Sequence, residues 1–155
     1  MKLPVIDAEI ELCKNHLENT KTKGTEIEPM ITKHLLVHIC GEYEKEIKNM
    51  IIQRVAVMTT DEKITSFVEK TIKYFRCLKI KDIKGLLGRF SESYKDAFSC
   101  KIDDTEFMDR FGNIVANRDL AAHGGNINTT FDEVVESYAK AEPVLDAIRE
   151  SLEIK

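Results

Sequence analysis

The chain has 155 residues, 43% hydrophobic and 32% charged, which is the balance of an ordinary globular protein and excludes disordered or collagen-like classes. This length favours a single domain over residues 1–155. Its apolar runs are too short to cross a bilayer, and acidic residues interrupt the opening stretch where a secretion signal would be apolar. Its four cysteines are widely spaced, which indicates reduced thiols in a cytoplasmic protein, not a disulfide framework or a zinc site.

The formal net charge of −4 is unevenly distributed. Residues 70–90 hold seven basic side chains and one acidic one, which gives +6, whereas the remaining 16 basic and 26 acidic residues give −10. Such a strip can contact a phosphate backbone at one place, although a solvated helix face is the commoner explanation. We call the following side chains the basic strip: Lys70, Lys73, Arg76, Lys79, Lys81, Lys84 and Arg89.

Residues 5–19 are predicted to form a first helix. The pattern Thr25-x-x-Glu28 is typical of a helix start and predicts a second helix that runs to about residue 58. Apolar side chains recur there at four-residue steps, which makes one long face: Ile31, Leu35, Ile39, Tyr43, Ile47, Ile51 and Val55.

Thr59-x-x-Glu62 predicts the start of the next helix. That helix has an apolar stripe: Ile64, Phe67, Val68, Ile72 and Phe75. A further helix, ending before Lys101, is predicted from five apolar positions: Leu86, Leu87, Phe90, Tyr94 and Phe98.

Asp103 or Asp104 is expected to cap a helix that stops at Gly124-Gly125, because adjacent glycines favour a helix end. Thr130-x-x-Glu133 caps the last helix, which Pro143 should kink or restart. No segment shows the alternation of a strand. The sequence therefore predicts an all-α fold, an antiparallel helical bundle with one long helix.

Few residues of the sequence occur in patterns that indicate catalysis or metal binding. His34 and His38 lie one helical turn apart and could make a two-point metal site, but no further ligands are near in sequence, so a structural or surface role is favoured. No glycine-rich phosphate loop or nucleophile motif occurs. We therefore predict no metal and no cofactor.

Arg118 falls near the centre of the apolar stripe of its helix, where a guanidinium needs a partner or a ligand. A salt bridge to a glutamate is the structural explanation for Arg118, and capping of the last carbonyls is that for His123. The two lie five positions apart, which places their side chains about 140° apart on a regular helix. Joint action on one phosphate would require a deformed helix or, more simply, a two-fold dimer.

The string NRDLAAHG, residues 117–124, resembles the signature of HEPN domains, which is Arg, a polar residue, a few further residues and His. The long helix with VHICGEYEKEIKNMI and the stretch KIKDIKGLLGRF are similar to the HEPN subgroup associated with RNA ligase and RNA-repair gene clusters. The resemblance covers about residues 25–152.

The resemblance implies a metal-independent endoribonuclease that acts as a homodimer in defence, toxin–antitoxin control or RNA processing. His123 would act as general base or acid in attack of the ribose 2′-hydroxyl, Arg118 would stabilise phosphoryl charge, and Asp119 would orient one of them. The products would be 2′,3′-cyclic phosphate and 5′-hydroxyl ends. Asn117 and Glu44 are assigned supporting roles, with Glu44 as a candidate anchor for Arg118.

Part of the basic strip then becomes a candidate RNA-binding surface: Lys79, Lys81, Lys84 and Arg89. Tyr74, Phe75 and Phe90 could stack on bases, but their helical register favours a place in the core. The alternative function is a non-catalytic HEPN module that binds RNA or a partner protein, such as an antitoxin or an RNA-repair protein.

Overall fold

The computed structural model describes residues 1–76, 78–102 and 106–154. This part of the chain forms eight α-helices and no strand, which confirms an all-α helical bundle with one long helix. The helices are α1 (Pro4–Asn19), α2 (Ile27–Met58), α3 (Glu62–Ile72), α4 (Ile80–Phe90), α5 (Glu92–Ile102), α6 (Glu106–Ala122), α7 (Phe131–Ala141) and α8 (Pro143–Ser151).

The long helix α2 has 32 residues and is therefore roughly 48 Å long. Its start differs slightly from the predicted capping box. The Thr25 hydroxyl accepts a hydrogen bond from the Ile27 amide, whereas the Glu28 carboxylate accepts one from the Gly24 amide at 2.7 Å. Six of the seven predicted apolar positions are buried, and Ile31 is half-buried: Leu35, Ile39, Tyr43, Ile47, Ile51 and Val55.

The described chain divides into two compact units, and α2 supplies residues to both. The first consists of Met1–Glu42 and Glu106–Glu142. In it α6 packs on α7, and the amide of Leu3 donates a hydrogen bond to the buried Tyr138 hydroxyl at 3.2 Å. Fully buried side chains of this unit include Ile6, Leu17, Leu35, Leu36, Ile39 and Phe111.

The second unit consists of Tyr43–Thr105 and Pro143–Lys155. Here α5 packs against both α4 and α8. The guanidinium of Arg54 donates a hydrogen bond from Nε to the Tyr94 hydroxyl at 2.9 Å and pairs with Glu153 at 2.7 Å. Fully buried side chains of this unit include Tyr43, Ile47, Met50, Ile51, Leu78 and Phe98.

One predicted helix is wrong. The apolar positions from Leu86 to Phe98 were expected on a single helix ending before Lys101, but α4 ends at Phe90 and α5 continues to Ile102. Ser91 separates them in an extended conformation, with φ −163° and ψ 138°. Its hydroxyl accepts a hydrogen bond from the Ser93 amide, so it starts α5 as an N-cap residue does.

The start and the stripe of α3 also differ from expectation. Asp61, not Thr59, is its N-cap residue, since the Asp61 carboxylate accepts a hydrogen bond from the Lys63 amide at 2.8 Å. Of the predicted stripe only Ile72 is buried, and Phe67 is 69% exposed. The core placement favoured for Tyr74 is wrong, because 77% of this residue is exposed. Phe75 and Phe90 are half-buried.

The last two helices follow the predictions. Thr130 and Glu133 form the predicted capping box at the start of α7. The predicted break at Pro143 is confirmed, because α7 ends at Ala141 and α8 begins at Pro143, where a missing N–H does no harm. The predicted cap at Asp103 or Asp104 lies outside the described residues.

Candidate functional site

Helix α6 carries Arg118 on the flank of its buried face. Phe111, Ile114 and Val115 are buried, and Arg118 continues the same stripe with only 20% of its side chain exposed. Its Nη1 atom lies 3.5 Å from the Asp119 Oδ1 atom. The carboxylate of the next residue in the chain is therefore one acidic neighbour of this arginine.

Backbone hydrogen bonds satisfy carbonyl groups at the C-terminal end of α6. Gly124 has φ +73°, in the left-handed region that favours glycine. The Gly124 amide donates to the Ala121 carbonyl at 3.3 Å, and the Gly125 amide donates to the Leu120 carbonyl at 2.8 Å. These two bonds form a Schellman motif, which satisfies carbonyls that would otherwise lack an intrahelical partner.

His123 lies at the C-cap position of this helix, and its side chain is exposed. Its own amide donates to the Asp119 carbonyl at 3.2 Å. The imidazole does not cap the helix, because backbone amides donate to the carbonyls of Leu120 and Ala121. Among the residues that the structure describes, the imidazole makes no recorded hydrogen bond or ion pair. It is therefore accessible to a substrate.

Asn117 fixes the loop that follows His123. Its side-chain amide donates to the Asn113 carbonyl one turn earlier, at 3.0 Å. Its Oδ1 atom accepts a hydrogen bond from the Asn128 amide at 2.9 Å. The loop between α6 and α7 is thus attached to α6 through Gly125 and Asn128, and it ends in the capping box of Thr130. The supporting role assigned to Asn117 in catalysis remains a prediction.

Glu44 lies on the part of α2 that belongs to the second unit, where it is 9% exposed. Its Oε2 atom is 3.9 Å from the Arg76 Nη1 atom. Its proposed role as an anchor for Arg118 remains a prediction.

The four predicted RNA-binding cations lie at and after the start of α4. Lys79 is the residue before the helix, and Lys81, Lys84 and Arg89 lie within it. Three of them are exposed, whereas Lys84 is half-buried. Two of them, Lys81 and Arg89, line a cavity of about 780 Å³ in the second unit. The rest of the basic strip is exposed too.

His34 and His38 share a single acidic partner. The His34 Nε2 atom lies 2.8 Å from the Glu9 Oε1 atom, and the His38 Nδ1 atom contacts the Glu9 Oε2 atom. No group of three or more His, Cys, Asp or Glu residues in the described ranges is arranged to hold a metal ion. Within those ranges, too, no helix has the length and apolar character to cross a membrane.

Two of these contacts had no signal in the sequence. Glu9 lies 25 and 29 positions before the two histidines that it contacts, and Asn128 lies 11 positions after Asn117. Glu9 and Asn128 are residue types that are common on protein surfaces. Neither their spacing nor their type therefore identifies them as partners of the histidines and of Asn117. The glycine pair at 124 and 125 was visible, because adjacent glycines after a helical pattern favour this kind of helix end.

The comparison with known protein families gives one clear result. A family model described as RiboL-PSP-HEPN matches residues 5–153, which is nearly the whole chain. No curated protein and no solved structure gives a significant match. The match includes α6 with Arg118, Asp119 and His123, and it points to an RNA-related nuclease or RNA-binding module. The chain belongs to the HEPN family, in the subgroup associated with RNA ligase and RNA repair.

Proposed function

We propose that the chain is a metal-independent endoribonuclease that acts from the end of α6. The observation that carries this proposal is the exposed imidazole of His123, set at a helix end whose carbonyls are bonded by glycine amides. A histidine held by a rigid backbone and not used by the fold is suited to proton transfer. Family membership supplies the substrate class, RNA.

In the proposed reaction, His123 removes the proton from a ribose 2′-hydroxyl. The 2′-oxygen then forms a bond to the adjacent phosphorus, and the bond from phosphorus to the 5′-oxygen breaks. The leaving 5′-oxygen takes a proton from a protonated imidazole, for which the same residue of a second copy is the simplest source. The products are a 2′,3′-cyclic phosphate and a 5′-hydroxyl end, and the chemistry requires RNA.

Arg118 stabilises the negative charge that develops on the phosphoryl oxygens. Its side chain is largely buried and lies next to the Asp119 carboxylate, so little reorganisation is needed when charge develops. Of the two predicted roles of Asp119, orientation of the arginine is the one that this ion pair supports.

Two copies of the chain are needed for this site. The helical hydrogen bond from the His123 amide to the Asp119 carbonyl is present, so α6 is not unwound between Arg118 and His123. On a regular helix these side chains diverge by about 140°. A two-fold dimer that joins two helix ends would place the arginine of one copy near the histidine of the other. Lys79, Lys81, Lys84 and Arg89 would contact the phosphate backbone of the RNA.

The test is cleavage of end-labelled single-stranded RNA in excess EDTA. We expect cleavage to persist with the chelator, to leave cyclic-phosphate ends, and to fall about 10²–10⁴-fold in His123→Ala. Arg118→Ala should lose cleavage as well. His16→Ala is the matched control, because His16 is an exposed histidine on another helix. Loss of activity in EDTA, or full activity in His123→Ala, would contradict the mechanism.

A second candidate is a non-catalytic module that binds RNA or a partner protein such as an antitoxin or an RNA-repair protein. The basic strip favours it, because six of its seven cations are exposed on an otherwise acidic chain. Wild-type protein that binds RNA in the same assay but never yields cyclic-phosphate ends would establish this alternative.

A further inference from the structure

A groove in the second unit is lined by α3, α4 and residues 74–76 between them. Its floor is aliphatic and buried, formed by Ile51, Ile72 and Leu86. Its volume of about 780 Å³ is within the range of sites that bind small organic ligands. We call it the aromatic groove, because Phe67, Tyr74, Phe75 and Phe90 line it.

The exposed side chains of the aromatic groove are of two kinds. Phe67 and Tyr74 present large aromatic surfaces to solvent. Arg76, Lys81 and Arg89 are exposed cations that line the same groove, against one acidic residue, Asp82. Exposed aromatic faces and cations in one groove are a combination that suits single-stranded nucleic acid, since bases stack on the rings and phosphates pair with the cations.

Gly85 gives independent support for a ligand. It is exposed in the interior of α4, where glycine costs about 0.5–1 kcal/mol relative to alanine. A Cβ atom at this position would meet nothing within 4 Å, so packing within the protein does not require glycine. By contrast, a Cβ atom at Gly88 would lie 3.2 Å from the side chain of Lys95. The missing side chain at Gly85 keeps the aromatic groove open.

We propose that the aromatic groove binds an unpaired segment of RNA, with at least one base stacked on Tyr74 or Phe67 and the flanking phosphates on Arg76, Lys81 and Arg89. The inference rests on the proposed action on RNA and narrows its substrate to single-stranded RNA. A paired base has no free face to stack, so a duplex meets only the cations. An acidic protein segment would match the charge, but its carboxylates would not pack on the exposed ring faces, which carry negative potential.

The chain contains no tryptophan, so Tyr74→Trp places a single fluorescent reporter in the aromatic groove. The ligand is a short 2′-O-methyl RNA, which cannot be cleaved through its 2′-oxygen. We expect its single-stranded form to quench the fluorescence of Tyr74→Trp and the matching duplex to bind more weakly. Leu12→Trp is the matched control, because Leu12 is a similarly exposed apolar residue of the first unit, 69% against 77% for Tyr74, and should not respond.

Affinity measurements complete the test. Tyr74→Leu should weaken binding of the single strand roughly tenfold, whereas Tyr74→Trp should retain it. Gly85→Leu should fill the groove and weaken binding without loss of thermal stability, while Gly41→Leu, at another exposed helical glycine with open space around it, should bind normally.

Equal affinity for single strand and duplex, or normal binding by Tyr74→Leu, would overturn the proposal. So would a change in oligomeric state of Tyr74→Leu without a change in RNA affinity, because the groove would then be a protein interface. A different result would contradict the nuclease proposal. If quenching occurs but wild-type protein never cleaves RNA, the groove stands and the mechanism at His123 does not.

Discussion

The Gly125 amide donates a hydrogen bond to the Leu120 carbonyl at 2.8 Å, and a Cβ atom on residue 125 would lie 3.1 Å from that same oxygen. Gly124 in turn has φ +73°. The close backbone approach thus favours glycine at position 125, and the backbone conformation favours it at position 124. Together they determine where the chain leaves α6 and hence where His123 is held.

Gly124→Ala should destabilise the protein by about 1–2 kcal/mol, because alanine in the left-handed region is strained. The same change should lower RNA cleavage, since relief of that strain moves the backbone beside His123. Thermal unfolding and the cleavage rate measure the two effects. Gly112→Ala is the control on the same helix, where a Cβ atom meets nothing within 4 Å, and it should stabilise the protein. Unchanged stability of Gly124→Ala would contradict this account.

Asn117→Ala should release the loop after His123, because Asn128 loses the acceptor of its amide. Loss of such a bond costs about 0.5–1.5 kcal/mol. Faster hydrogen exchange of the Asn128 amide, followed by NMR, reports this directly. Asn117→Asp retains the acceptor oxygen and should keep the amide protected. If exchange is equally fast in the alanine and aspartate variants, the Oδ1 atom does not hold the loop.

The start of α7 should respond to acid. Hydrogen bonds from the Thr130 amide, the Thr130 hydroxyl and the Thr129 hydroxyl lower the pKa of Glu133 below its usual 4.5. Because the folded-state pKa is the lower one, the stabilisation is complete above pH 4.5 and is lost as the pH falls through the folded value. Thermal unfolding from pH 6 down to pH 3 should therefore show a smaller acid-induced loss in Glu133→Gln than in the wild type.

The control for removing one negative charge is Glu11→Gln, at an exposed glutamate of α1. It should retain the wild-type loss of stability in acid. A Glu133→Gln profile that parallels the wild type would show that the capping carboxylate contributes nothing in this range.

The basic strip should determine the salt dependence of RNA binding. Each phosphate contact with a single strand contributes about 0.7 to the slope of log affinity against log salt. Lys81→Gln and Arg89→Gln should each reduce that slope by about this amount, measured by anisotropy across a salt series. Lys14→Gln, at an exposed lysine of α1, should leave the slope unchanged. Slopes that stay at the wild-type value in all three variants would place the phosphate contacts elsewhere.

Three elements that local patterns specify were predicted well from the sequence. The four-residue steps of α2, the Thr130 capping box and the glycines after α6 each depend on residues within a few positions of one another. The break at Ser91 was missed because the apolar positions on both sides stay in helical register through it. Exposure of Tyr74 was missed because register says which face a side chain occupies, not whether another element covers that face.

The same distinction applies to the candidate site: its local arrangement could be predicted from the sequence, whereas its long-range contacts could not. Residues 117–123 lie on one helix end, so their proximity follows from the sequence. The bond from Asn128 to Asn117 and the shared partner of His34 and His38 depend on the path of the chain between distant positions. The predicted role of Glu44 as an anchor for Arg118 is of this second kind, because no spacing rule connects the two positions.

Each of the two compact units is assembled from two separated stretches of sequence, and one continuous helix contributes to both. No single cut in the gene therefore yields either unit alone, and every truncation between residues 43 and 142 leaves both with a piece missing. Dissection of this protein has to proceed by point substitution, and a relative that differs by loss of either end should be examined for misfolding before it is examined for activity.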